Sequence, residues 1–131
     1  MISDKLNNEF NQRFPSLRDI LNDSETPYEL WLRLRDVFFE AYKCNDRELI
    51  KKIYEFSDWC IQQPQEDIPN GDLATCVAVC FYEHIPENDT SRADMPNWFA
   101  LNDVIAMREI FTENISIETF QEIIDAYDKR N

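Results

Sequence analysis

Cys76-x3-Cys80-x3-His84 is the stretch whose residue types and spacing could do chemistry. Thiolate and imidazole both ligate zinc, and residues four apart share a helix face. Helix geometry opposes a three-ligand site. At about 1.5 Å rise per residue, positions 76 and 84 stand about 12 Å apart along the axis. Zinc–ligand bonds are only about 2.0–2.3 Å, so all three cannot reach one ion, and any two would need help from Cys44 or Cys60. The same row offers Cys80 and His84 as a thiol and its base. An apolar surrounding raises a thiol pKa, however, and leaves it inert. Buried structural thiols with one helix-end histidine are the expected state. A metal or thiol site at Cys76/Cys80/His84 is the alternative.

Other chemistries lack their residues. Gly71 is the sole glycine, whereas phosphate-cradling loops and dinucleotide fingerprints need several so that backbone amides can approach the anion. No nucleophile-elbow glycines accompany any serine. Glu66-Asp67 and Glu87/Asp89 are carboxylate pairs on loop-like segments. They do not fit the spacing of a calcium-binding loop, and a glycosidase needs a defined separation across a cleft. The expectation is a protein that is not an enzyme and has no cofactor and no metal.

Charge is the most informative property. The 131 residues carry 26 acids and 13 bases, for a net charge of −13. Residues 1–52 hold 10 acids and 9 bases; residues 53–128 hold 16 acids and only Arg92 and Arg108. Such a surface repels nucleic acid and anionic lipid and draws in a basic protein. Aromatic side chains rimmed by acids are what that protein would meet, which singles out Trp59, Trp98 and Phe99. The candidate partner-binding residues are Glu66, Asp67, Glu87, Asp89 and Trp98. The oligomeric state is not written in the sequence. The N-terminus has no apolar h-region, and the near-apolar run 74–82 is too short to span a bilayer, so the expected compartment is the cytoplasm.

The elements that must position these residues read as helices nearly throughout. Ser3 caps a short helix carrying Leu6 and Phe10 and ending near Phe14, and Pro15 opens another with Leu17, Ile20 and Leu21. Thr26-Pro27-Tyr28-Glu29 is a capping box with proline at the first helical position. The helix it starts runs to about Cys44, with Leu30, Leu34, Val37, Phe38 and Ala41 on one face. Asn45-Asp46 breaks it, and Asp46 caps a helix over about 47–63 that Pro64 stops. An acidic loop covers 65–71. An apolar helix follows over 72–84 and is expected in the middle of the bundle. A polar loop spans 87–96. One helix is expected over 98–111 with Leu101, Val104, Ile105, Met107 and Ile110 inward. Ser116 caps the last helix, which carries Ile117, Phe120, Ile123, Ile124 and Tyr127.

The fold class is all-α: a single helical domain over 1–131 of five to six helices with antiparallel neighbours. Residues 1–24 form peripheral short helices and 26–131 the main bundle, with HEAT-like packing an option. Phe14-Pro15, the run from Leu30 to Cys44, Asn45-Asp46-Arg47-Glu48-Leu49 and the apolar 73–84 helix together carry a resemblance. The chain resembles a family of small all-helical bacterial proteins of the DUF7674 type, over about residues 10–111. The resemblance implies an all-helical fold and an immunity-like role as the partner of a toxin, and it brings no catalytic residues. The reading is therefore an acidic protein-interaction module, immunity-like, that occludes a basic protein partner; a structural bundle without a ligand is the plainer alternative.

Overall fold

Local side-chain chemistry sets where the helices begin. The structure is a computed structural model that describes residues 2–63 and 73–130. These residues form α-helices and short 3-10 turns, with no strand among the described residues. Two compact units emerge, Met1–Phe81 and Tyr82–Asn131.

In the first unit, α1 (Asp4–Arg13) starts where the Ser3 hydroxyl accepts the Leu6 amide at 3.3 Å. A 3-10 turn (Pro15–Leu17) leads into α2 (Arg18–Asn22). α3 (Pro27–Lys43) starts where Thr26 Oγ1 accepts the Glu29 amide at 3.2 Å. The Glu29 carboxylate reaches one residue further back than a capping box requires and accepts the Glu25 amide at 2.9 Å. α4 (Arg47–Ile61) is capped by Asp46, whose Oδ1 accepts the Leu49 amide.

Between α3 and α4 the chain reverses through a Schellman motif. The Asp46 amide donates to the Ala41 carbonyl at 2.8 Å and the Asn45 amide to that of Tyr42 at 3.2 Å. Asn45 takes the left-handed backbone this requires, with φ of 55°. Asparagine tolerates that region better than other residues with a Cβ.

α3 packs against both α4 and α5 (Leu73–Cys80), and α4 packs against α5. Trp31 of α3 is fully buried. Its indole stacks on Phe56 of α4 (centroids 5.4 Å, 15°) and on Phe81 just past α5 (5.2 Å, 26°). Phe38 meets the same Phe81 edge-on at 4.7 Å. The short N-terminal helices join this aromatic core, with Phe10 and Phe14 edge-on to Phe56 at 5.7 and 5.5 Å.

The apolar helix expected over 72–84 ends at Cys80; Asp72, its expected first residue, lies outside the described residues. Pro86 is the physical reason. It has no N–H to give Tyr82 and disfavours α backbone at Ile85. The chain tightens instead into a 3-10 turn, Tyr82–Glu87. Nor is α5 buried all round: Leu73, Cys76, Val77 and Cys80 face inward, whereas Val79 is 42% exposed.

In the second unit, the expected polar loop 87–96 is mostly helical. Asn88 caps α6 (Asp89–Asp94), its Oδ1 accepting the amides of Thr90 and Ser91. Ser91, buried, donates to the Ile85 carbonyl at 2.6 Å. A 3-10 turn (Met95–Asn97) follows.

The expected single helix 98–111 divides into α7 (Leu101–Ala106) and α8 (Arg108–Phe111). Phe99 lies outside both because it is buried edge-on to Tyr82 and Phe111, while its carbonyl accepts from the Tyr127 hydroxyl at 2.8 Å. The break at Met107 leaves Val104 and Phe111 as the buried residues of α7 and α8, with Ile105 51% exposed. α9 (Ile117–Arg130) starts where Ser116 Oγ accepts the Thr119 amide at 3.0 Å, and buries Phe120, Ile123 and Tyr127. Ile117, expected inward, is 63% exposed. The described residues thus hold nine α-helices where five to six were expected, because prolines and caps divide the longer stretches. No helix among them is long and apolar enough to cross a membrane.

The turn at Asn45 is directly testable. Asn45→Ala is expected to cost about 1 kcal/mol because a Cβ residue without a local hydrogen-bonding side chain is strained there. Asn45→Gly is expected to be neutral or stabilising. Urea unfolding followed by tryptophan fluorescence measures both, and equal costs for the two variants would contradict the turn geometry.

Candidate functional site: the acidic surface

The expected metal row does not form as one helical face. Cys76 and Cys80 are buried on α5, whereas His84 sits on the 3-10 turn beyond its end. The Cys80 thiol donates to the Tyr28 carbonyl at 3.8 Å. His84 Nδ1 lies 3.0 Å from Glu87 Oε2, so the ring donates from that nitrogen. Among the described residues no group of three or more His, Cys, Asp or Glu side chains is arranged to hold a metal ion. Burial pushes the Cys60 thiol far above its ordinary value. Cys44 alone is exposed.

Of the predicted partner-binding residues, Glu66 and Asp67 lie outside the described residues. Glu87 ends the 3-10 turn after α5, Asp89 opens α6 and Trp98 follows the Met95–Asn97 turn, each with a local partner. Glu87 accepts from His84. Asp89, 91% exposed along its side chain, accepts from Arg92 Nη2 at 2.7 Å. Trp98 is half-buried, with Nε1 donating to Asp94 Oδ2 at 2.8 Å. Phe99 belongs to the core. Trp59 is half-buried, stacked on Phe56 at 6.0 Å beside a recess of about 290 Å³ lined by Arg13, Glu55, Asp58 and Gln62.

Carboxylates crowd one another at two places. Burial, and then the charge of Glu55, hold the Asp58 carboxyl above its ordinary range. Burial, then Glu113 and Glu87, do the same to Glu83 against the pull of His84. A third group of acids lies on α9. Glu118, Glu122 and Asp125 are exposed at i, i+4 and i+7 along α9, opposite its buried Phe120, Ile123 and Tyr127. No ion pair among the described residues engages them, and only Gln121 donates to Asp125, at 3.0 Å. Sequence reasoning passed over these three, although their spacing was the signal. An i, i+4, i+7 row of acids opposite an apolar stripe is an outward face.

Two outcomes follow from this geometry. Under native conditions a thiol reagent is expected to titrate one cysteine of the four promptly, and the other three only on unfolding. Prompt reaction of more than one would place a buried thiol at the surface. Asp58→Asn is expected to stabilise the fold at pH 7 by up to about 0.5 kcal/mol, the usual limit for a surface position. The folded carboxyl keeps its proton to higher pH than the unfolded one, so ionisation costs stability. The gain should therefore fade as pH falls below about 4. A gain independent of pH in thermal melts would contradict this origin.

The match with known proteins lies over the first unit and the start of the second. The family model described as a domain of unknown function, DUF7674, matches residues 7–102, from α1 into α7. α8 and α9, with the outward acids of α9, lie beyond the matched span. No curated protein and no solved structure matches the chain. The matched span is well over half of the sequence, and its helix order is the one described above; the chain belongs to the DUF7674 family.

Proposed function

We propose that this chain is a non-enzymatic, cytoplasmic protein-interaction module, immunity-like in action, that captures a basic protein and occludes it. The observation that carries this reading is the row Glu118, Glu122 and Asp125, three exposed carboxylates one turn apart that make no ion pair among the described residues. Between residues 82 and 128 there are eleven acids and two bases, Arg92 and Arg108. Arg92 is already held by Asp89 and the Pro86 carbonyl.

Exposed charges of one sign raise the rate at which an opposite surface arrives, and the field weakens as salt shortens its range. Glu87, Asp89 and Trp98 belong to the same unit, their hydrogen bonds to His84, Arg92 and Asp94 fixing side chains that a partner would otherwise have to order. Three buried thiols and a histidine engaged by a carboxylate favour binding over nucleophilic chemistry.

Immobilised protein exposed at low salt to a lysate of the organism that encodes it is expected to retain one basic protein and release it at a moderate salt step. The triple variant Glu118→Lys, Glu122→Lys, Asp125→Lys is expected to retain at least tenfold less. Equal retention by the variant, or nothing specific retained by either, would overturn the reading.

A further inference from the structure

Resting on that reading, we propose that the groove between α6 and α9 seats an apolar side chain of the partner, flanked in the partner by Lys or Arg. The groove has a volume of about 190 Å³ and a floor of Ala93, Pro96, Ile123 and Ala126. A cavity of about 150 Å³ holds a benzene ring, so the space suits one leucine or phenylalanine side chain. Ile123 is buried at the base, and Ala93 and Ala126 stand exposed on the two helices. Their small size is what leaves the groove open.

The rim is charged. Asp89 stands on the α6 side with the Arg92 guanidinium bound to it and to the Pro86 carbonyl. Glu122 stands on the α9 side with no ion pair among the described residues, and Glu118 and Asp125 lie one turn to either side of it. An apolar floor beside a row of exposed carboxylates is complementary to a cationic amphipathic segment. The apolar residue enters the groove, and lysines or arginines one turn away meet Glu118, Glu122 and Asp125. Acids alone would draw in any basic surface; the groove gives that surface a register.

The probe is a fluorescein-labelled peptide of about 18 residues, with leucine at every third or fourth position and lysine elsewhere, a spacing that makes one helical face apolar. Its binding to the full chain is followed by polarisation. Ala126→Trp and, as an independent filling of the same space, Ala93→Trp are each expected to weaken binding at least tenfold while leaving the circular dichroism spectrum unchanged. A peptide with its leucines replaced by alanine is expected to bind at least tenfold more weakly to the wild-type chain.

Equal binding of the leucine and alanine peptides, both lost in the triple α9 variant, would overturn the groove and leave the charge reading standing. No binding of either peptide at low salt would overturn both. Concentration-dependent self-association of the wild-type chain, abolished by Ala126→Trp, would give the groove to a second copy and overturn the assignment to a basic partner.

Discussion

The stacking of Trp31 between Phe56 and Phe81 is the contact on which the first unit depends. It joins α3, α4 and the end of α5 through one side chain, and it explains why α3 is apolar over more than one face. Aromatic pairs in such geometry contribute about 0.5–1.5 kcal/mol beyond the area they bury. Phe38 on the same Phe81, and Phe10 and Phe14 on Phe56, extend the cluster. The buried residues of α4 and α5 must therefore lie where those rings place them, and the charged residues of α4 are directed outward.

The second unit solves the same problem with shorter pieces. Pro86 and Pro96 sit within its 3-10 turns, so no long helix forms before α7. Phe99, Tyr82 and Phe111 meet edge-on instead, and the Tyr127 hydroxyl ties α9 to the Phe99 carbonyl. With Phe120, Ile123 and Tyr127 fixed inward, helical geometry leaves Glu118, Glu122 and Asp125 outward. The acidic face thus follows from burial of the opposite stripe, and its excess of acids over bases leaves it short of counter-charge.

Where a helix is started by its own neighbouring side chain, the sequence was readable. Ser3, Thr26, Asp46 and Ser116 each accept an amide three residues on, and each was expected to. Asn88 does the same within an acid-rich, proline-bounded stretch that reads as a loop, and its helix was missed. The end of α5 depends on Pro86, six residues past Cys80, and so was placed one turn late. The start of α7 after Phe99 depends on Phe99 entering the core and on the Tyr127 hydroxyl, contacts no local pattern contains. Ile105, expected inward, is exposed. The candidate surface was legible as a charge imbalance but not as residues. Glu87 and Asp89 were singled out for standing in a supposed loop, while the unpaired row lies on a helix.

The DUF7674 match covers residues 7–102 and leaves α8 and α9 outside it. The central functional claim is that exposed carboxylates bring a basic protein to that surface. The most direct measurement is the association rate of the captured partner with the immobilised chain as a function of salt. The account predicts a fall of at least tenfold between about 0.05 and 0.5 M salt, as the screening length contracts from roughly 14 to 4 Å, with the dissociation rate changing far less. An association rate that does not respond to salt would contradict it, and would leave the acids of α9 as a solvated surface only.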